Sequence, residues 1–342
     1  MESGSRPAAL RGLWLGGTVG LTVAAYAVTI ALAPPAQGQP VQAVQWLLFV
    51  GSSVHVAATG WFYSVPEIRR YARDNRERYV LVPLALVAGT AGLAALVPRT
   101  WLTWLLLGFF GWQFFHFQKQ NLGMVALAGV SRGVGSARRG ERLAIAVTGL
   151  AGTAGLLVHP ELLQLAVHSP VRWLFPVAGA LFLGGILAGL WQLRSRPAGT
   201  RPGGFVAVYL LSLLFFAPVF VFASPYAAVA GLTVAHGYQY LLIVGLVAGA
   251  RRPGRSALIS LAVLVNLALL GGLALNAASH LHSAGPLGRA VFGAYLGVVM
   301  AHFVVDAGLW RLRDEFPRRF LTERVPYLLR PAAARPDGPQ QA

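Results

Sequence analysis

Residues 256–275 read SALISLAVLVNLALLGGLAL, a run without a single charged side chain. A helix of that length rises about 30 Å, the thickness of the hydrocarbon core of a bilayer. So long an uninterrupted apolar run reads as a membrane-crossing helix rather than a strand or an ordinary core helix. Working outward from it, nine further segments have the same character: 13–33, 42–63, 79–98, 100–130, 143–158, 171–193, 204–223, 226–250 and 289–310. The segment 143–158 is short for a span. The segment 100–130 is long and polar in its middle, which predicts a tilted or broken helix, or a shorter span followed by a re-entrant piece.

Composition agrees with this reading. Of 342 residues, 56% are hydrophobic and 11% charged, against about 25% charged in a soluble domain. That excludes an ordinary soluble enzyme and a disordered chain. The net charge of +17 would fit a nucleic-acid partner if it formed one patch. Instead the chain has one lysine, Lys119, and its arginines stand in short clusters between apolar runs. That pattern is the positive-inside bias of a polytopic membrane protein, and no nucleic acid is expected as partner. With the N-terminus inside, 24 arginines fall on the inner side and three, Arg99, Arg172 and Arg289, on the outer. One miscounted span in mid-chain would destroy that split.

The expected fold is therefore all-α: a polytopic integral membrane bundle of about ten transmembrane helices, N-in and C-in. Residues 1–310 form a single transmembrane domain. Residues 311–342 form a basic cytoplasmic tail, partly disordered, whose amphipathic piece from Phe316 to Leu329 either lies on anionic lipid or is solvated. The first apolar stretch exceeds the 7–15 residues of a signal-peptide core, so it is expected to stay as a helix. With no cysteine, disulfides, zinc–thiolate sites and iron–sulfur clusters are excluded.

Intramembrane ionisable residues are expensive and so mark function by default. Of eight histidines, His159, His168, His280 and His282 fall in outer loops. His280 and His282 read as solvated loop residues, with metal binding at an entrance as the alternative. The other four, His55, His116, His236 and His302, fall in spans 2, 4, 8 and 10, which all run from outside to inside. They lie about 13, 16, 10 and 13 residues from the outer ends, depths that agree within about 9 Å. Four histidines at one depth are predicted to converge and hold a metal.

Each has polar neighbours one turn away on its helix face. These are Ser52 and Thr59 for His55, then Gln113, Lys119 and Gln120 for His116. Thr233, Gln239 and Tyr240 serve His236, and Asp306 serves His302. Gln113, Gln120, Gln239 and Thr59 are candidates to orient the ligands, since metal-bound imidazoles need a second partner to fix the tautomer. Asp306, Tyr240 and Lys119 are candidate catalytic groups. Two of these have a plain alternative: Lys119 snorkelling to the interface, and Asp306 pairing with Arg311 or Arg313.

The stretch His302-Phe303-Val304-Val305-Asp306-Ala307-Gly308-Leu309-Trp310-Arg311 and its companion His116-Phe117-Gln118-Lys119-Gln120-Asn121 resemble stretches of uncharacterised polytopic bacterial membrane proteins. The wider arrangement, single histidines at mid-depth on several helices, is similar to the bacterial membrane β-carotene dioxygenases that make retinal. The chain lacks that family's Pro-His-Gly turn and His-x-x-x-His pair, so the similarity extends to the site type. It implies a non-haem iron centre in a bacterial cytoplasmic (inner) membrane.

Histidine with carboxylate suits iron, copper or zinc, and the scarcity of sulfur ligands argues against Cu(I). The leading expectation is a non-haem iron oxygenase or desaturase-like enzyme. It would act on a lipophilic substrate from the lipid, such as an isoprenoid, a carotenoid or an acyl chain, with an electron donor as a further partner. Aromatic residues beside the histidines, among them Trp112, Phe115, Phe117 and Phe303, would line its pocket. The alternatives are a haem- or quinone-binding electron-transfer protein and a metal- or proton-coupled transporter built from inverted repeats.

Overall fold

The computed structural model describes residues 5–36, 38–165, 167, 169–250, 256–283 and 285–329. Among them every regular element is helical. In chain order these are α1 (Pro7–Ala31), α2 (Gln42–Ser64), α3 (Pro66–Asp74), α4 (Glu77–Leu96), α5 (Arg99–Ser131), α6 (Arg139–Val158) and α7 (Arg172–Arg194). Then follow α8 (Gly203–Leu214), α9 (Ala217–Val221), α10 (Tyr226–Ala248), α11 (Ala257–Ser283), α12 (Pro286–Leu309), α13 (Glu315–Arg324) and α14 (Pro326–Leu329). Eight of them, α1, α2, α4, α6, α7, α10, α11 and α12, are long and apolar enough to cross a membrane. The protein is thus a membrane-type helical bundle. The helix α5 is longer still, an unbroken 33 residues, but Gln113, Gln118, Lys119, Gln120 and Asn121 dilute its apolar character. The expected break does not occur along it.

The helix α10 is the hub. In its apolar stretch 78% of residues are buried, against 11% in α4 and 17% in α11. The outer helices turn Leu84, Leu93, Leu258, Leu270 and Leu273 outward, as expected where lipid replaces water. Helices meet closely in membranes where small residues let backbones touch. Gly237 of α10 lies directly against the Gly51 backbone of α2, and a Cβ at Gly51 would sit 2.6 Å from the Val234 Cα. At that contact α2 is widened into a π-helical turn over Phe49–Val54, and it tightens to a 3₁₀ turn over Thr59–Ser64. Such departures inside a helix are frequent at functional sites.

One end of the bundle is closed by cations that hold the connecting segments. Glu141, fully buried, takes both of its oxygens to Arg196 Nη1 at 2.8 and 2.9 Å. Arg196 also donates to the Val134 carbonyl at 2.9 Å, and its guanidinium lies 4.4 Å from the Phe205 ring centre. Removing one partner of a buried pair leaves the other charge uncompensated. Glu141→Gln is therefore expected to lower stability by about 3–5 kcal/mol, read as a clear drop in the thermal midpoint in detergent. An unchanged midpoint would mean that the pair is dispensable.

The segment 315–329 does not form the separate tail expected from its charge. Phe320, Leu321, Val325 and Leu328 are buried, and Arg11 Nε donates to the Tyr327 carbonyl at 3.0 Å. Arg324 lies 4.3 Å over Phe320 and 5.7 Å over Trp61. The apolar face of this piece finds protein at the bundle end in place of lipid. Residues 330–342 lie outside the described residues, as does His168.

Candidate metal centre

The four intramembrane histidines come together. His55 on α2, His116 on α5, His236 on α10 and His302 on α12 are all buried. Their ring centres form a closed cycle. His55 lies 5.1 Å from His236, His236 5.0 Å from His116, His116 5.2 Å from His302, and His302 5.0 Å from His55. Phe117 stacks on His236 at 4.0 Å and Phe303 on His116 at 4.5 Å, which restricts how those rings turn.

The polar atoms inside the cycle are unsatisfied. Nε2 of all four histidines is buried without a hydrogen-bond partner among the described residues. Asp306 Oδ2 lies 3.6 Å from His302 Nε2 and 3.9 Å from His116 Nε2. Both distances are too long for hydrogen bonds. Buried polar atoms are almost always paired, so these unpartnered ring nitrogens, with the Asp306 oxygen, could hold a metal ion.

A chain of hydrogen bonds fixes the tautomer of His302. Tyr240 donates to Asp306 Oδ1 at 2.9 Å. With its proton so used, Tyr240 accepts from Thr59 at 2.8 Å, and Thr59 accepts from His302 Nδ1–H at 2.6 Å. The Nε2 lone pair is then free toward the centre, the arrangement that metal-bound histidines use. Two overlapping ligand groups result, His55–His236–His302 and His116–His302–Asp306, each with its ligand atoms within 4.8 Å. They share His302, whose single free nitrogen can bind one ion at a time.

Gln120 and Gln239 form the next layer. Gln120 Nε2 donates to the His236 carbonyl at 3.1 Å and to Gln239 Oε1 at 3.0 Å, while Gln239 Nε2 donates to Thr22 of α1 at 2.7 Å. Sequence reasoning does not single out Thr22; its signal is the run Thr18, Thr22, Thr29 on one face of α1. Asp306 faces the histidines, whereas Arg311 and Arg313 pair with Asp314 at 3.8 and 3.9 Å.

Two expected site residues lie elsewhere. Gln113 is half-buried, with no contact to the four rings among those described. Lys119 is exposed on the outer face of α5, its Nζ 5.1 Å over the Phe115 ring. At about 100° per residue, Lys119 stands some 60° around the helix from His116, enough to carry its ammonium outside the bundle. A catalytic role for it inside the cluster is not supported by this placement. In the segments between helices, His159 Nδ1 pairs with Glu161 at 2.9 Å and accepts at Nε2 from Arg172 at 3.1 Å. His280 is bound locally to the Asn276 carbonyl at 2.7 Å.

No family of known proteins, no curated protein and no solved structure matches the chain.

Proposed function

We propose that the protein is an intramembrane metalloenzyme. His55, His116, His236 and His302 hold one non-haem iron, and Asp306 serves as a fifth donor or as a base beside it. Its substrate is a lipophilic molecule drawn from the bilayer: an isoprenoid, a carotenoid or an acyl chain. The observation that carries this reading is the convergence of four unpartnered Nε2 atoms and one carboxylate oxygen at the core of the bundle. Five nitrogen and oxygen donors exceed the four that a structural zinc takes, and no thiolate is present for copper. Iron in such a set supplies redox chemistry with dioxygen. The residues around it then keep water out (Phe117, Phe303), hold a ring nitrogen (Thr59) and orient the carboxylate (Tyr240). A haem is less well accommodated, because two axial histidines must stand on opposite faces of a macrocycle and the closed cycle of rings has no such gap.

The bundle is read as ten spans in a bacterial cytoplasmic membrane. To the eight long apolar helices are added α5 and the pair α8–α9. The N-terminus and residues 311–329 then share the arginine-rich inner face, where an electron donor would dock. The contact between Arg11 and Tyr327 supports a common face for the two ends.

Purified protein is expected to contain one equivalent of iron per chain and to show no strong haem absorption near 400 nm. Absence of any transition metal after gentle purification would overturn the reading. Stoichiometric zinc or copper would keep the centre and replace the ion.

A further inference from the structure

The outer face of α5 carries an ordered series. Trp101, Trp104, Gly108, Trp112, Phe115 and Lys119 follow one another at three- and four-residue steps, and all are exposed. Those steps place them on one stripe of an unbroken helix. The four aromatics are between 37% and 64% exposed, an unusual outlay of large rings on a surface that leucine would cover. At Gly108 a Cβ would meet nothing within 4 Å, so the stripe has a notch in its middle. Its end is the chain's only lysine. Lys119 makes no ion pair among the described residues; its ammonium lies only against the ring of Phe115.

The stripe is joined to the histidine cycle through one side chain. Trp112 lies 5.8 Å from Phe303, and Phe303 stacks on His116 at 4.5 Å. Trp112 and His116 are one turn apart. A molecule lying over Trp112 is therefore separated from His116 by the rings of Trp112 and Phe303.

We propose that this stripe is a binding site for a single-chain lipid with an anionic head. Lys119 holds the head, a carboxylate or a phosphate, and the chain runs over Phe115, Trp112 and the notch at Gly108. Charge complementarity selects the occupant, because a lone ammonium against an aromatic ring in a low-dielectric setting binds an anion far better than a neutral group. The seven residues from Lys119 to Trp112 rise about 10 Å. The part of the lipid nearest the histidines is thus mid-chain, not the head. Chemistry at mid-chain rests on the metal-centre reading above; binding of the lipid does not.

The test uses the full-length protein in detergent, with palmitate, farnesyl phosphate, hexadecanol and farnesol as probes. Bound molecules are counted by native mass spectrometry, and metal is measured on the same samples. One acid is expected to bind per chain, about tenfold or more tighter than its alcohol. Preference for palmitate or for farnesyl phosphate identifies the head group as carboxylate or phosphate. Lys119→Gln should reduce acid binding to the level of the alcohol, Lys119→Arg should retain it, and Trp112→Ala should weaken all probes together. Equal binding of acid and alcohol by the unaltered protein overturns the proposal. So does undiminished acid binding by Lys119→Gln, or a dimer that buries the stripe and excludes lipid. Lysine-dependent binding to metal-free protein would refute the metal reading and leave this one standing; metal without charge preference would do the reverse.

Discussion

Replacing His302 by alanine is expected to abolish stoichiometric metal. His302 belongs to both overlapping ligand groups, and it is the histidine nearest Asp306, at 3.6 Å. Its loss removes the one donor that joins His55 and His236 to His116 and Asp306, so the ion is expected to be lost in purification. His116→Ala should lose metal as well. Thr59→Val tests a finer point. It removes the acceptor at 2.6 Å from His302 Nδ1 and cuts the link to Tyr240, while no direct ligand changes. Loss of a group that orients a metal-bound histidine typically weakens metal affinity by about 10–100-fold, and that is the range expected here. Lys119→Gln should leave metal content untouched. The measurement is elemental analysis together with metal titration, with circular dichroism to confirm that each variant is folded. If His116→Ala and His302→Ala both keep full metal while folded, the four rings are a packing cluster.

Gly237→Ala is expected to have the second large effect, through the backbone. A methyl group at Gly237 runs into the Gly51 carbonyl and Cα, and neither can turn aside as a side chain could. Overpacking a core usually costs about 1–3 kcal/mol, and a clash with backbone belongs at the upper end. The helices forced apart are α2 and α10, which carry His55 and His236 with ring centres 5.1 Å apart. The variant should thus lose both thermal stability and metal affinity. Gly245→Ala is the matched control on the same helix. Its Cβ would meet nothing within 4 Å, and glycine in a helix interior is about 1 kcal/mol less favourable than alanine. That change should be neutral or mildly stabilising, with metal unchanged. A Gly237→Ala protein as stable as the Gly245→Ala one would show that the two helices do not touch there.

The class of fold was legible because apolar length is a one-dimensional property. The run 256–275 needs no knowledge of its neighbours to be read as a membrane helix. The meeting of His55, His116, His236 and His302 was legible for a related reason: residues at similar depth on helices running the same way need little further information to meet. Their order around the cycle was not, since it depends on which helix stands beside which. Side-chain direction was the other blind spot. Lys119 and Gln120 are adjacent in sequence, yet one lies outside the bundle and the other donates to the His236 carbonyl. Spacing of three or four residues put both near His116, and a rotation of 100° separates them. The apolar face of 316–329 was legible, but its burial against the protein through Phe320, Leu321 and Leu328 was not, because an amphipathic pattern does not say which surface it meets.

The bond from Arg11 to the Tyr327 carbonyl spans 316 positions of sequence. A ribosome adding about 5–20 residues per second needs about 15–60 s to make that length. For that interval the first helix is in the membrane while its partner at the bundle end has not been made. The same delay applies to the centre, since Thr59 waits for His302 across 243 positions. Assembly of this protein is therefore a closing event, timed by the completion of α12 and α14.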